Sequence, residues 1–136
     1  MREIDEVIIH CSATEEGVEI SADTIRKWHT SAPRNWDDIG YHYVIGIDGE
    51  LEYGRPVHKI GAHCLKKNRT SIGVCYIGGL RNGEAVDTMT QDQEDTMREL
   101  CCSLKVVFGD LKFNGHNRYS NKTCPNFDVR EKFKNF

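Results

Sequence analysis

The sequence predicts an α/β protein, a central mixed β-sheet flanked by helices on its faces, formed by one domain spanning residues 1–136. Two runs, Val7–Ile9 and Ser71–Gly79, are β-branched and apolar on successive residues, as strands covered on both faces are. Two further stretches, after Ser21 and after Thr90, space their apolar residues by three and four, the period of a helix with one buried face. A chain of this length buries roughly two thirds of its unfolded surface around a single core.

In chain order, Glu6 to Ser12 reads as a central strand whose polarity arrives only at its end. His10 therefore lies where a buried strand runs out at the edge of the fold, the usual place for a site in an α/β sheet. Ser21 caps a helix carrying Ile25, Trp28 and His29; the spacing turns Trp28 inward and makes His29 structural. This helix gives way at Ser31, Ala32 and Pro33. Residues 35–56 read as a strand, an Asp48-Gly49 turn and a second strand. Alternation sends Tyr41 and His42 to opposite faces, and Tyr41, just after the flexible Gly40, is the one assigned to the site. His42 is then a half-buried strand histidine.

Residues 61–70 are polar and turn-rich and form a loop on the rim of the same pocket. His63 and Asn68 from this loop, with Arg55, are expected to bind substrate, and Lys66, Lys67 and Arg69 add positive charge. Ser71–Gly79 is a central strand with small residues where other backbone packs closely, and Cys75 is core. Thr90 and Gln93 form a capping-box signature ahead of Met97, Leu100, Cys101, Leu104, Val107 and Phe108, the longest helix. Cys101 and Cys102 lack a Cys-x-x-Cys pattern and read as packing and flank residues of that helix. Asp128 and Glu131 signal a second capping box, opening a short C-terminal helix through Phe136.

Six cysteines would suit a disulfide scaffold, but Met1 to Glu6 has neither a cationic nor an apolar leader region. The protein is expected to be made in the cytosol with its thiols reduced. No apolar run approaches the length of a membrane span, so no membrane insertion is expected. The net charge of -3 argues against nucleic acid as a partner. Charge is uneven all the same: residues 1–23 carry one basic and seven acidic side chains, residues 112–136 six basic and two acidic. A monomer is expected.

The segment from Gly115 to Pro125 holds a histidine, a lysine and a cysteine in loop company, with seven residues between His116 and Cys124. Singly, each residue has a bland reading, the cysteine as a small hydrophobe and the histidine as a hydrogen-bonded strand-end residue. Together they are ligand types that suit zinc, and a catalytic zinc takes three protein ligands and leaves a fourth position for water. His10 is the third ligand. Two neutral imidazoles and one thiolate leave such a site at a formal charge of about +1, less electrophilic than an all-histidine site, so a nearby cation would help.

The ordered set of Val7 to Thr14, Ile25 to His29, Gly40 to Tyr43, Asp48-Gly49, Gly54-Arg55, Ser71 to Val74 and Lys122 to Asp128 resembles the zinc-dependent N-acetylmuramoyl-L-alanine amidases of the phage-lysozyme and peptidoglycan-recognition-protein type. That resemblance implies the same mixed sheet, a zinc held by His10, His116 and Cys124, and catalytic support from Tyr41 and Lys122. It also implies peptidoglycan as the substrate. Many family members that only bind peptidoglycan lack the cysteine, so Cys124 favours an active enzyme.

Two other readings stay in competition: a module that binds muropeptides without cutting them, and a cytosolic regulator using the fold for a protein partner. An amidase made without a leader needs a holin or a dedicated secretion system to reach the cell wall.

Overall fold

The computed structural model describes residues 2–135. Its centre is a five-stranded sheet in the order β4-β3-β5-β1-β8. These strands are β1 (Glu6–Cys11), β3 (Tyr43–Ile45), β4 (Leu51–Tyr53), β5 (Ser71–Tyr76) and β8 (Lys112–Gly115). Only the β3–β4 pair is antiparallel. The sheet is thus mixed, and the two parallel neighbours of β1 explain why that strand is apolar on both faces.

A second, three-stranded sheet joins β2 (Thr14–Glu15), β6 (Gly79–Arg81) and β7 (Glu84–Ala85). The sequence reading did not foresee it. Its β6–β7 hairpin turns through Asn82 and Gly83, both at positive φ (52° and 78°), a pair that two-residue hairpin turns favour.

One face of the large sheet is apolar. Val7, Ile9, Ile45, Ile72 and Val74 pack there against Met97, Leu100, Cys101 and Leu104 of α2 (Gln91–Phe108), joined by Val129 of α3 (Val129–Lys132) and by Phe133. The Thr90–Gln93 capping box opens α2 with both of its bonds formed. Val107 departs from the expected stripe and is 70% exposed, while Phe108 beside it packs partly buried against the core and continues the stripe of Met97, Leu100, Cys101 and Leu104. Asp128 caps α3 by accepting from the Arg130 and Glu131 amides. That helix closes at Lys132, short of the predicted extension to Phe136: Phe133 leaves helical geometry as the C-cap, residues 133–135 form a turn, and Phe136 lies outside the described residues.

The opposite face is built differently. Ala22 and Ile25 of α1 (Ala22–Thr30) cover Ile39, Val44 and Ile77, while Ser21 caps the helix through the Thr24 amide. Trp28, expected inward, is 44% exposed, and His29 takes the buried place. The reason is tertiary: His29 Nδ1 accepts the Gly40 amide at 2.9 Å, and the Trp36 ring packs edge-on against it. Beyond α1 this face turns polar, with His10, His42, His63 and Ser71 all buried.

His42 is more deeply buried than a half-exposed strand residue, at 1% exposure. Its Nδ1 accepts the Gly73 amide at 3.0 Å and its Nε2 lies 2.9 Å from the Lys59 carbonyl. Burial lowers its pKa from 6.5 to about 4, assisted by Arg2 and Arg55 and opposed by the Lys59 carbonyl. The native state therefore refuses a proton that the unfolded chain accepts. Its contribution to stability is complete above pH 6.5, declines as pH falls, and stops changing below about 4. Within that window one such histidine costs about 1.4 kcal/mol per pH unit. A His42→Gln variant is expected to show a correspondingly flatter loss of unfolding free energy over the same range in urea titrations. An unchanged slope would contradict the buried neutral histidine.

Candidate metal centre

The register of the sheet brings the predicted donors together. Ile9 of β1 pairs with Gly115 of β8, so the next residues, His10 and His116, leave neighbouring parallel strands at the same level. Their ring centroids are 4.7 Å apart. Past His116 the chain makes a 3-10 turn over His116–Arg118 and comes back. The Asn117 amide donates to the Cys124 carbonyl at 2.8 Å, and Asn117 Nδ2 donates to the Thr123 and Phe127 carbonyls at 3.3 and 3.1 Å. Cys124 is thereby returned to β1, where its Sγ accepts the Cys11 amide at 3.1 Å.

One ligand atom from each of His10, His116 and Cys124 lies within 4.8 Å of the others. Tetrahedral zinc with bonds of about 2.0–2.3 Å needs donors some 3.3–3.8 Å apart, so the cluster closes on a metal with small movements. Two imidazoles and a thiolate are also the donor chemistry zinc takes.

The electrostatics suit ligation. Burial, then His63, His116 and Lys122, hold the His10 pKa well below its ordinary value, and burial with Lys122 lowers that of His116. Both rings are neutral and able to donate a lone pair. A hydrogen bond with the Cys11 thiol, reinforced by burial, pushes the Cys124 thiol up, so ligation has to displace its proton. The Cys11 amide compensates in part, because an N–H aimed at sulfur stabilises the thiolate.

The donors open onto a cleft of about 240 Å³ lined by Ser12, Ala13, His29, Arg34, Trp36, Tyr41, Ala62 and His63, besides the donors and Lys122. The Tyr41 ring centroid is 5.1 Å from that of His10. Burial, then the thiols of Cys75, Cys124 and Cys11, raise the Tyr41 pKa well above its ordinary value, so the phenol keeps its proton, and it is hydrogen-bonded to the Cys75 thiol. Lys122 is exposed at the same mouth.

Three residues expected to bind substrate have other partners. Arg55 spends its guanidinium on the carbonyls of Ile39 (2.9 Å), Ile60 (2.8 Å) and Asp38 (3.1 Å), which ties the 38–41 segment to the 60–62 loop. Asn68 Oδ1 accepts the His63 and Cys64 amides, both at 2.9 Å, and so shapes the loop from within. His63 is only 9% exposed and places its Nδ1 2.8 Å from His10 Nε2. Lys67 is turned away as well, 3.9 Å from the buried carboxylate of Glu6 and over the Tyr119 ring.

Sequence reasoning missed Arg34 and Trp36, which face the cleft with the guanidinium 5.5 Å from the indole centroid. A basic and an aromatic residue inside a Pro33-to-Asp38 loop was the available signal.

The N-acetylmuramoyl-L-alanine amidase family matches residues 1–127. The endolysin of Klebsiella phage KP32 is 35% identical over 130 residues, 95% of this chain and 85% of the endolysin. That of Escherichia phage T7 is 34% identical over 127 residues, 93% of this chain and 83% of its own length. The bumblebee peptidoglycan recognition protein PGRP-SA superposes with a TM-score of 0.83 at 27% identity, covering 100% of this chain and 83% of that one. The chain belongs to the N-acetylmuramoyl-L-alanine amidase family. It is a hydrolase of the amide bond that joins N-acetylmuramic acid to L-alanine in peptidoglycan.

Close packing under the site gives a test. A Cβ built on Gly73 would stand 2.5 Å from Cγ of His63, so the imidazole lies directly on the β5 backbone. Gly73→Ala must push that ring or the strand aside, and overpacking of this kind costs about 1–3 kcal/mol. The expected result is a lower urea midpoint at unchanged m-value. A wild-type midpoint would show that the ring is not held against the strand.

Proposed function

We propose that the amidase works with one zinc ion held by His10, His116 and Cys124, and that Tyr41 and Lys122 act on the substrate beside it. The observation that carries this reading is the convergence of the three donor atoms at the mouth of a cleft that also presents Tyr41 and Lys122. When bound, the metal would supply a Lewis acid for the scissile carbonyl and lower the pKa of water at the open position.

The chain's own residues do the rest. Lys122 places an ammonium beside the oxygen of the scissile carbonyl, where negative charge develops as the amide carbon becomes tetrahedral. Its position, two residues before Cys124, lets the ligand fix the lysine backbone without using the amine as a ligand. Tyr41, kept protonated by burial, donates a hydrogen bond to the same developing charge. The Trp36 ring and the Ala62 backbone wall off the cleft, and Arg34 offers a guanidinium to the carboxylates of the stem peptide.

Binding without cleavage is the weaker reading, because a protonated phenol and an ammonium flank the donor cluster. Substrate in the cell wall lies outside the compartment of synthesis, so release by a holin or a secretion route belongs to this proposal. Among the described residues no helix is long and apolar enough to cross a membrane.

Purified peptidoglycan, digested and analysed by mass spectrometry, is expected to yield free stem peptides and unsubstituted glycan. Cys124→Ala is expected to lose both zinc and turnover. Lys122→Ala is expected to keep the zinc and lose roughly a hundred- to a thousandfold in rate, as when one donor to an oxyanion is removed. Near-normal turnover in the lysine variant would return Lys122 to the surface, and full zinc content in the cysteine variant would remove Cys124 from the site.

A further inference from the structure

We infer that His63 is a positioning residue: it fixes His10 in the tautomer that carries its proton on Nε2, so that Nδ1 is the nitrogen offered to the metal. This rests on the zinc reading above and assigns a role that His63, Ser71 and Lys67 share.

The assignment follows from counting protons along a buried chain of hydrogen bonds. Ser71 Oγ has one hydrogen and donates it to the Lys67 carbonyl at 2.7 Å. Toward His63 Nε2, 3.3 Å away, the same oxygen can therefore only accept, and His63 must carry its proton on Nε2. The ring has no carboxylate partner among the described residues and is 9% exposed, so a second proton would leave a buried, uncompensated cation. His63 Nδ1 is thus a bare lone pair. At 2.8 Å it accepts from His10 Nε2, which must then hold the His10 proton. His10 is 1% exposed, and its remaining nitrogen, Nδ1, is left with the lone pair that ligation requires.

Geometry keeps the chain in place. The His63 ring lies on Gly73, where a Cβ would come within 2.5 Å, and stands edge-on to His10 at an interplanar angle of 87°. Ser71 is fully buried at the start of β5, and Asn68 Oδ1 pins the His63 amide. A ligand histidine oriented through its second nitrogen is a recurrent device in metal sites, and loss of the orienting partner costs about 10–100-fold in metal affinity. Here the orienting acceptor is a second histidine, itself set by a serine, in place of a carboxylate or carbonyl.

The test reads tautomers directly. Long-range proton–nitrogen correlation spectra of the full-length, 15N-labelled protein, with and without zinc, distinguish protonated from bare imidazole nitrogens. The expected result is a proton on Nε2 of both His10 and His63 in the metal-free protein; when zinc is added, His10 Nδ1 is the nitrogen of the His10–His63 pair that shifts as a ligand, alongside the ligating nitrogen of His116. Zinc affinity, from competition with a chelator, is expected to fall about 10–100-fold in His63→Ala. It should recover substantially in His63→Asn, whose side-chain oxygen can occupy the place of Nδ1. A proton on His10 Nδ1, ligation through Nε2, or wild-type affinity and tautomer in His63→Ala would each overturn the inference. The wild-type spectra decide the question even where a variant fails to fold. Zinc bound to His10 through Nε2 would sink this inference and leave the zinc site standing; no zinc bound at all would sink the site itself.

Discussion

The register of β8 against β1 is the constraint on which the site depends. With Ile9 opposite Gly115, His10 and His116 emerge side by side from parallel strands that are 106 residues apart in the chain, and both project to the polar face of the sheet. A slip of one residue would turn His10 toward the α2 core, because strand side chains alternate faces. The register is held by Val7 and Ile9, which must face α2, and by a buried polar lock at the other end of the same strand. There Glu6 Oε2 accepts from Asn114 Nδ2 at 2.7 Å and from the Tyr119 hydroxyl at 2.5 Å, so β1, β8 and the loop after His116 are joined through one carboxylate.

The returning loop completes the centre by similar means. Tyr76 donates to the Pro125 carbonyl at 2.8 Å, and Asn126, at positive φ, donates to the carbonyls of Gly79 and Val86. These bonds tie the Cys124 segment to β5 and to the small sheet. The three-stranded sheet thus acquires a purpose: it gives the cysteine loop a backbone to hold. A short irregular segment can then present a thiolate as rigidly as a strand presents an imidazole, which is what a preorganised metal site needs.

Much of this was legible in the sequence. The apolar runs of β1 and β5, the Thr90–Gln93 cap and the donors His10, His116 and Cys124 all announce themselves through composition and spacing. What was hidden depended on partners far away in the chain. Trp28 and His29 lie three and four residues from Ile25, and periodicity alone cannot rank them; the Gly40 amide and the Trp36 ring choose the histidine. Arg55 read as a substrate ligand because a basic residue near a pocket usually is solvated, yet three carbonyls of the 38–60 region claim it. His63 lines the cleft but meets His10 through its Nδ1, and Asn68 lies outside the cleft lining with its side-chain oxygen on the His63 and Cys64 amides, contacts that depend on the fold and leave no trace in local composition. The small strands β2, β6 and β7 are two or three residues long, too short for any alternation to show.

The central claim is that these folded-in donors form a zinc centre. Anomalous diffraction at the zinc edge, from crystals of the full chain grown with stoichiometric zinc, tests it most directly. The account predicts one strong peak within bonding distance of His10, His116 and Cys124, at the mouth of the cleft lined by Tyr41 and Lys122. A peak at the exposed cluster of Glu19, Asp48 and Glu50 with none between the two histidines and the cysteine would contradict it.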